Sequence, residues 1–204
     1  MYEAEQGKSG EDEGEPQELA ATPQEVKLRP RIYVASLSDY NAGRLRGVWL
    51  DAAQEEEQLQ AGVTAMLDDS PEPVAEEWAI HDYEGFGTLH VGEYQSLATV
   101  SALARGIAEH GPAFAAWASY QDSLSGLVPE AFEQAYRGRW DSLEAYAADL
   151  LDDLGATAEL ERIPDWLQPY VRLDGARFAR DLELGGDIVA VKEEGHVYVF
   201  DTNP

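Results

Sequence analysis

Hydrophobic and polar positions divide the chain into short, well-punctuated segments. In RIYVASL, Arg31–Leu37, Ile32, Val34 and Ser36 alternate with Tyr33, Ala35 and Leu37, the period of a β-strand rich in β-branched and aromatic residues. The turn-forming SDYNAG reads as a loop before a second strand, Arg44–Asp51, bent near Gly47. Leu59, Val63, Met66 and Leu67 then recur at helical spacing and predict a helix over Glu55–Leu67, with Glu55–Glu57 in the first turn, where the helix dipole favours anions. Asp68–Pro73 breaks that pattern. EEWAIHDYEGFG, Glu76–Gly87, predicts a third strand running into a glycine-flanked loop, so the order of this first unit is ββαβ.

The middle of the chain changes period. Leu97, Val100, Leu103, Ala104 and Ile107 predict a helix ended by Gly111-Pro112, and AFAAWASY a shorter one after it. Pro129 can occupy the first position of a third, PEAFEQAYRG. In Asp141–Gly155, DSLEAYAADLLDDLG, Leu143, Tyr146, Ala147, Leu150, Leu151 and Leu154 form one helical stripe; Glu144, Asp149, Asp152 and Asp153 lie opposite. Asp141 is a candidate N-cap, with Glu144 at the spacing of a capping box, and Gly155 a C-terminal stop. PDWLQPYV, from Pro164, reads as a short turn and Asp174–Leu184 as a helix ended by Gly185-Gly186. DIVAV and HVYVF read as a closing β-hairpin. The expected fold class is α+β, in three small modules: an N-terminal ββαβ module at 30–90, a helical middle module at 91–127, and C-terminal helices plus a β-hairpin at 128–204. Residues 1–29, rich in Glu, Gly, Gln, Pro and Ala, are expected to be a disordered acidic leader.

Charge changes this picture more than any other bulk property. Forty Asp and Glu stand against fourteen Lys and Arg, a formal −26. The leader holds eight acids and three bases, so 32 acids and eleven bases, a net −21, belong to residues 30–204. Such a surface repels itself and excludes non-specific attraction to nucleic acid or anionic membranes. Solubility needs only about 2–8 units. Halophilic adaptation or a bias in base composition could account for an acid-rich chain with only three lysines (Lys8, Lys27, Lys192). The absence of cysteine excludes disulfides and thiolate chemistry, and no signal peptide or membrane-length apolar run is present, so a soluble, cytoplasmic protein is expected.

Candidate chemistry is sparse. His81, His90, His110 and His196 show no HxxxH or HExxH spacing, and His81 beside Asp82 reads as a surface residue, so neither a metal nor a cofactor is expected. There is no G-x-S-x-G elbow, no P-loop and no dinucleotide fingerprint. Catalysis finds no support. What remains is the charge: carboxylates spread over a folded surface can take the place of DNA phosphates in a protein groove. Twice −26 is −52 for a dimer, the charge of roughly 90 Å of duplex.

Four long blocks resemble the ArdA-type antirestriction proteins: Arg31–Ala52, Glu76–Gly87, Phe132–Gly155 and Phe178–Phe200, in order. LLDDLG, Leu150, Leu151, Asp152, Asp153, Leu154 and Gly155, falls where the family carries its antirestriction motif, usually written with Glu. The resemblance implies an elongated homodimeric DNA mimic, commonly carried by mobile elements. Such a mimic occupies the DNA groove of Type I restriction–modification enzymes and blocks cleavage and often methylation. It also implies a motif near the dimer region, dimerisation through the C-terminal module, and an effect spread over many carboxylates. The phosphate stand-ins expected are Glu55 and Glu56 at the start of the first helix, Asp68 and Asp69 at its end, and Glu76 and Glu77 before the third strand. Glu93, Glu109, Asp122, Glu130 and Glu133 follow through the middle, and Asp141, Glu144, Asp149, Asp152 and Asp153 in the motif helix. The alternative is an acidic, halophile-adapted interaction module with another partner. Mimicry puts carboxylates in rows beside an acid-poor dimer patch, whereas halophilic adaptation gives an even coat.

Overall fold

The computed structural model describes residues 28–193 and 195–204; the expectation of a disordered leader concerns residues that lie almost wholly outside these. Leu28, assigned to that leader, packs against the main core, and Pro30 is buried. Strand β1 (Arg31–Ser36) shows the expected alternation as far as Val34, with Ile32 and Val34 fully buried, and from Val34 to Ser36 every residue is buried. It pairs antiparallel with β2 (Gly47–Asp51), Ile32 opposite Leu50, and with β3 (Trp78–Glu84), Ile32 opposite Tyr83. The resulting sheet has the order β2-β1-β3. Between β1 and β2 the chain forms a short helix, α1 (Leu37–Asn41), where SDYNAG read as a loop. The turn formers act here as a cap: Ser36 Oγ accepts the Asp39 N–H at 3.3 Å and starts the helix. β2 begins only after the expected bend, at Gly47 rather than Arg44.

Helix α2 (Glu56–Asp68) lays Leu59, Val63 and Met66 on the sheet, within a residue of the predicted span. Helices α3 (Leu97–His110) and α4 (Pro112–Ser119) follow, parted at Gly111-Pro112 as the sequence indicates. All six residues from Ala113 to Ala118 are buried, which explains the alanine-rich run: α4 has no solvent face over this stretch.

The C-terminal part departs most from expectation. Helix α5 (Pro129–Ala135) stops before Tyr136, and Tyr136–Gly138, read as the end of that helix, open strand β4 (Tyr136–Trp140). It is followed by α6 (Leu143–Asp153), α7 (Ala156–Glu161), a 3₁₀ turn at Gln168–Tyr170, α8 (Gly175–Gly185) and the hairpin strands β5 (Ile188–Glu193) and β6 (His196–Asp201). The second antiparallel sheet has the order β4-β6-β5, with β6 in the centre. Gly138, at φ +138°, carries the irregular pairing between β4 and β6. An α+β chain with two small antiparallel sheets is thus present, as the sequence indicates.

Two hydrophobic clusters meet on β6. Tyr198 and Phe200 join the larger one, which runs from Ile32 through Val63, Ile107 and Phe114 to Phe132. Val197 and Val199 join the smaller one with Tyr146 and Ile188, against which Trp140, Leu143, Leu150 and Leu182 pack.

Polar anchoring of the first sheet centres on Asp39, the one fully buried carboxylate among the described residues. It accepts from Ser70 Oγ at 2.5 Å and from Arg44 Nε at 3.0 Å, and Arg44 also pairs with Glu72. One carboxylate thereby ties α1 to the lead-in of β2 and to the loop after α2. The Ser70 hydrogen bond, with those of Ser36 and Arg44, holds the Asp39 carboxyl below the ordinary 3.8 against the opposing effect of burial. A depressed folded pKa means stability present above the unfolded value and lost as pH falls through the folded one. Asp39→Asn is therefore expected to lower the urea midpoint at neutral pH by an amount that holds down to about pH 4 and narrows below it. A gap that stays constant into acid would show that the charge of Asp39 does not matter.

Candidate functional site: an acidic surface

Helix α6 contains no basic residue, and the reason it folds is local and apolar. Ser142, rather than Asp141, caps it, its Oγ accepting the Ala145 N–H at 3.1 Å. The φ/ψ of Ser142 is extended and its hydroxyl reaches the third helical N–H, which leaves Asp141 exposed, 3.4 Å from His196 Nδ1. The expected stripe is buried in a gradient. Tyr146 and Ala147 are fully inside, Leu143, Leu150 and Leu151 are half-buried, and Leu154 is 67% exposed. Gly155, at φ +77° and ψ 15°, ends α6 as expected; its carbonyl also accepts the Glu159 N–H at 3.1 Å and so starts α7, an element the sequence reading did not contain.

All sixteen carboxylates expected to stand in for phosphates are exposed. Two form arginine pairs: Glu55 with Arg105 at 2.7 Å, and Asp69 with Arg46. Glu109 lies 4.0 Å from His110, and Asp149 accepts the Trp140 indole N–H at 2.9 Å. Apart from the Asp141–His196 contact, the remaining eleven make no ion pair among the described residues. The scarce arginines go elsewhere, Arg31 to Glu84, Arg44 to Asp39 and Glu72, and Arg137 to Asp201.

This distribution works against stability. Asp68 in the last turn of α2, and Asp152 and Asp153 in that of α6, sit where the helix dipole favours cations, and neither last turn holds a base. Each such placement costs about 0.3–1 kcal/mol. Asp149, Asp152 and Asp153 also repel one another at i, i+3 and i+4 along α6.

The expected site residues do not converge on one centre. Asp149 and Asp153 line a cleft of about 500 Å³ with Asp187 and Asp201, over a floor that includes Trp140, Leu150 and Ile188. Asp141 and Glu144 border another of about 580 Å³, where Arg180, Lys192 and His196 also stand. Glu77 and Glu93 meet across a third, beside β3. Among the described residues no three His, Asp or Glu side chains are placed to hold a metal ion, and no helix is long and apolar enough to cross a membrane. Sequence reasoning missed Asp187 and Asp201, since only the β4-β6-β5 sheet brings them beside α6. It also missed the exposed Trp166 and Tyr170, for which the aromatic PDWLQPYV was the available signal, and the exposed Leu184 at the end of α8.

The family model described as antirestriction protein (ArdA) matches residues 32–198, most of the chain. The chain belongs to the ArdA antirestriction family. No curated protein matches it.

The burial gradient of the motif helix makes a sharp prediction. Leu154→Gln, which adds no charge to the acid-rich end of the helix, should change the unfolding free energy of the monomer by no more than about 0.5 kcal/mol. Leu150→Asp, which drives a carboxylate against Trp140 and Ile188, should cost about 1–3 kcal/mol. Equal losses in chemical denaturation would contradict the packing described.

Proposed function

We propose that this ArdA-family chain acts as a DNA mimic: a homodimer that occupies the DNA groove of a Type I restriction–modification enzyme, blocking cleavage and methylation in the cytoplasm. The reading is carried by the exposed carboxylates, twelve of the sixteen without an ion-pair partner among the described residues. A groove built to hold phosphates supplies the Lys and Arg that this surface withholds from itself, and each of the protein's charges gains a partner on binding. Helix α6 contributes Asp149, Asp152 and Asp153 to that surface as a support for charge. The exposed Leu154, Trp166, Tyr170 and Leu184 supply apolar and aromatic surface suited to a contact between two copies. In this arrangement 30–90, 91–127 and 128–204 act as the three modules, the last forming the dimer.

The test is a cleavage assay with a Type I enzyme and unmodified target DNA. Added in several-fold molar excess, the protein should abolish cleavage, and its potency should fall steeply as salt rises. Asp152→Asn alone should leave inhibition within about twofold of wild type, because the effect is shared among many exposed charges. Undiminished cleavage would sink the mimic reading for that enzyme class, and loss of inhibition from Asp152→Asn in a folded protein would overturn distributed binding.

A further inference from the structure

Edge strand β3 is flanked by a groove of about 730 Å³ that α1, β3 and the segment around 90–94 enclose. That segment is held to the strand by the Ile80 N–H, which donates to the Glu93 carbonyl at 2.9 Å. The walls are aromatic. Tyr40 meets His81 edge-on at 5.2 Å between ring centroids, and Tyr83 meets His90 at 6.0 Å, with the Tyr83 hydroxyl 3.1 Å from His90 Nδ1. Tyr40 and Tyr94 remain 53% and 74% exposed. Glu77 and Glu93 stand in the same groove, exposed and in no ion pair among the described residues, and neither Lys nor Arg lines it.

Solubility does not call for exposed tyrosines, and a phosphate has no ring, so neither the charge excess nor simple phosphate mimicry accounts for this combination. Aromatic faces are electron-rich, and beside two unpaired carboxylates they favour a cation. Among cationic side chains the guanidinium fits best: it is flat, stacks on a ring and forks to a carboxylate, whereas an ammonium offers only a point charge. We propose that this groove captures an arginine side chain from the DNA-binding surface of the partner protein. It then forms a concentrated contact within an otherwise spread-out charge interface, of the kind aromatic and arginine residues make at binding hot spots. The partner's identity rests on the function proposed above; the chemistry of the groove does not.

Two measurements on the full chain keep those claims apart. In the first, N-acetylarginine amide is titrated at low salt while the ring resonances of His81, His90 and the tyrosines are followed by NMR, with the neutral N-acetylcitrulline amide as control. Saturable shifts confined to these rings, produced only by the arginine compound and abolished in Tyr94→Ala and in Glu77→Gln/Glu93→Gln, are expected. Absence of shifts, or equal shifts with the citrulline compound, would overturn the proposal. In the second, inhibition of a Type I enzyme by Glu77→Gln/Glu93→Gln is compared with that by Glu130→Gln/Glu133→Gln, which removes the same charge outside the groove. The groove pair should lose about tenfold more potency; equal losses would overturn the hot spot while leaving distributed mimicry intact. Saturable arginine binding by a protein that inhibits no Type I enzyme would instead overturn the mimic and uphold cation capture.

Discussion

Strand β6 is buried on both faces, and the fold depends on that. Its period-2 alternation sends Tyr198 and Phe200 into the large cluster that reaches back to the first sheet and sends Val197 and Val199 into the small cluster under α6. Phe200 and Tyr136 face each other at 5.7 Å, with Phe132 close by, so one strand couples α5 and β4 to the helices of the middle region. A strand so placed has no solvent face and needs hydrogen-bonded neighbours on both edges. β4 and β5 supply them.

That internal order is what permits the surface to be arranged against its own stability. Carboxylates at the C-terminal ends of α2 and α6, with few arginines spent on neutralising the rest, cost free energy that the two clusters must offset. The exception is instructive. Asp39 is buried, doubly hydrogen-bonded and paired with Arg44, and there the same residue type acts as a structural anchor. Burial and pairing separate the carboxylate that holds the fold from those left facing solvent.

Local signals in the sequence located most elements, because their causes are local. Alternation placed β1, helical spacing placed α2 and α3 within a residue or two, and Gly111-Pro112 marked the break between α3 and α4. Where the cause lies far along the chain, reading failed. Nothing in Tyr136–Trp140 distinguishes a strand from a helix end until Phe200 and Val199 are beside it. Ser142 and Asp141 are both competent caps, and backbone geometry alone chose Ser142. The charged surface was legible as a total and as an exposed set. The groove at Glu77 and Glu93 was not, because it gathers Tyr40, Tyr83 and Tyr94 from three separate segments.

The central claim is that the surface takes the place of a duplex, and the most direct measurement is a displacement equilibrium. A fluorescent unmodified duplex carrying the target site is bound to a Type I enzyme, and the protein is titrated in while duplex release and complex mass are followed. Mimicry predicts complete displacement of the duplex, with the enzyme holding either DNA or protein and never both. A stable ternary complex of enzyme, duplex and protein would contradict the account.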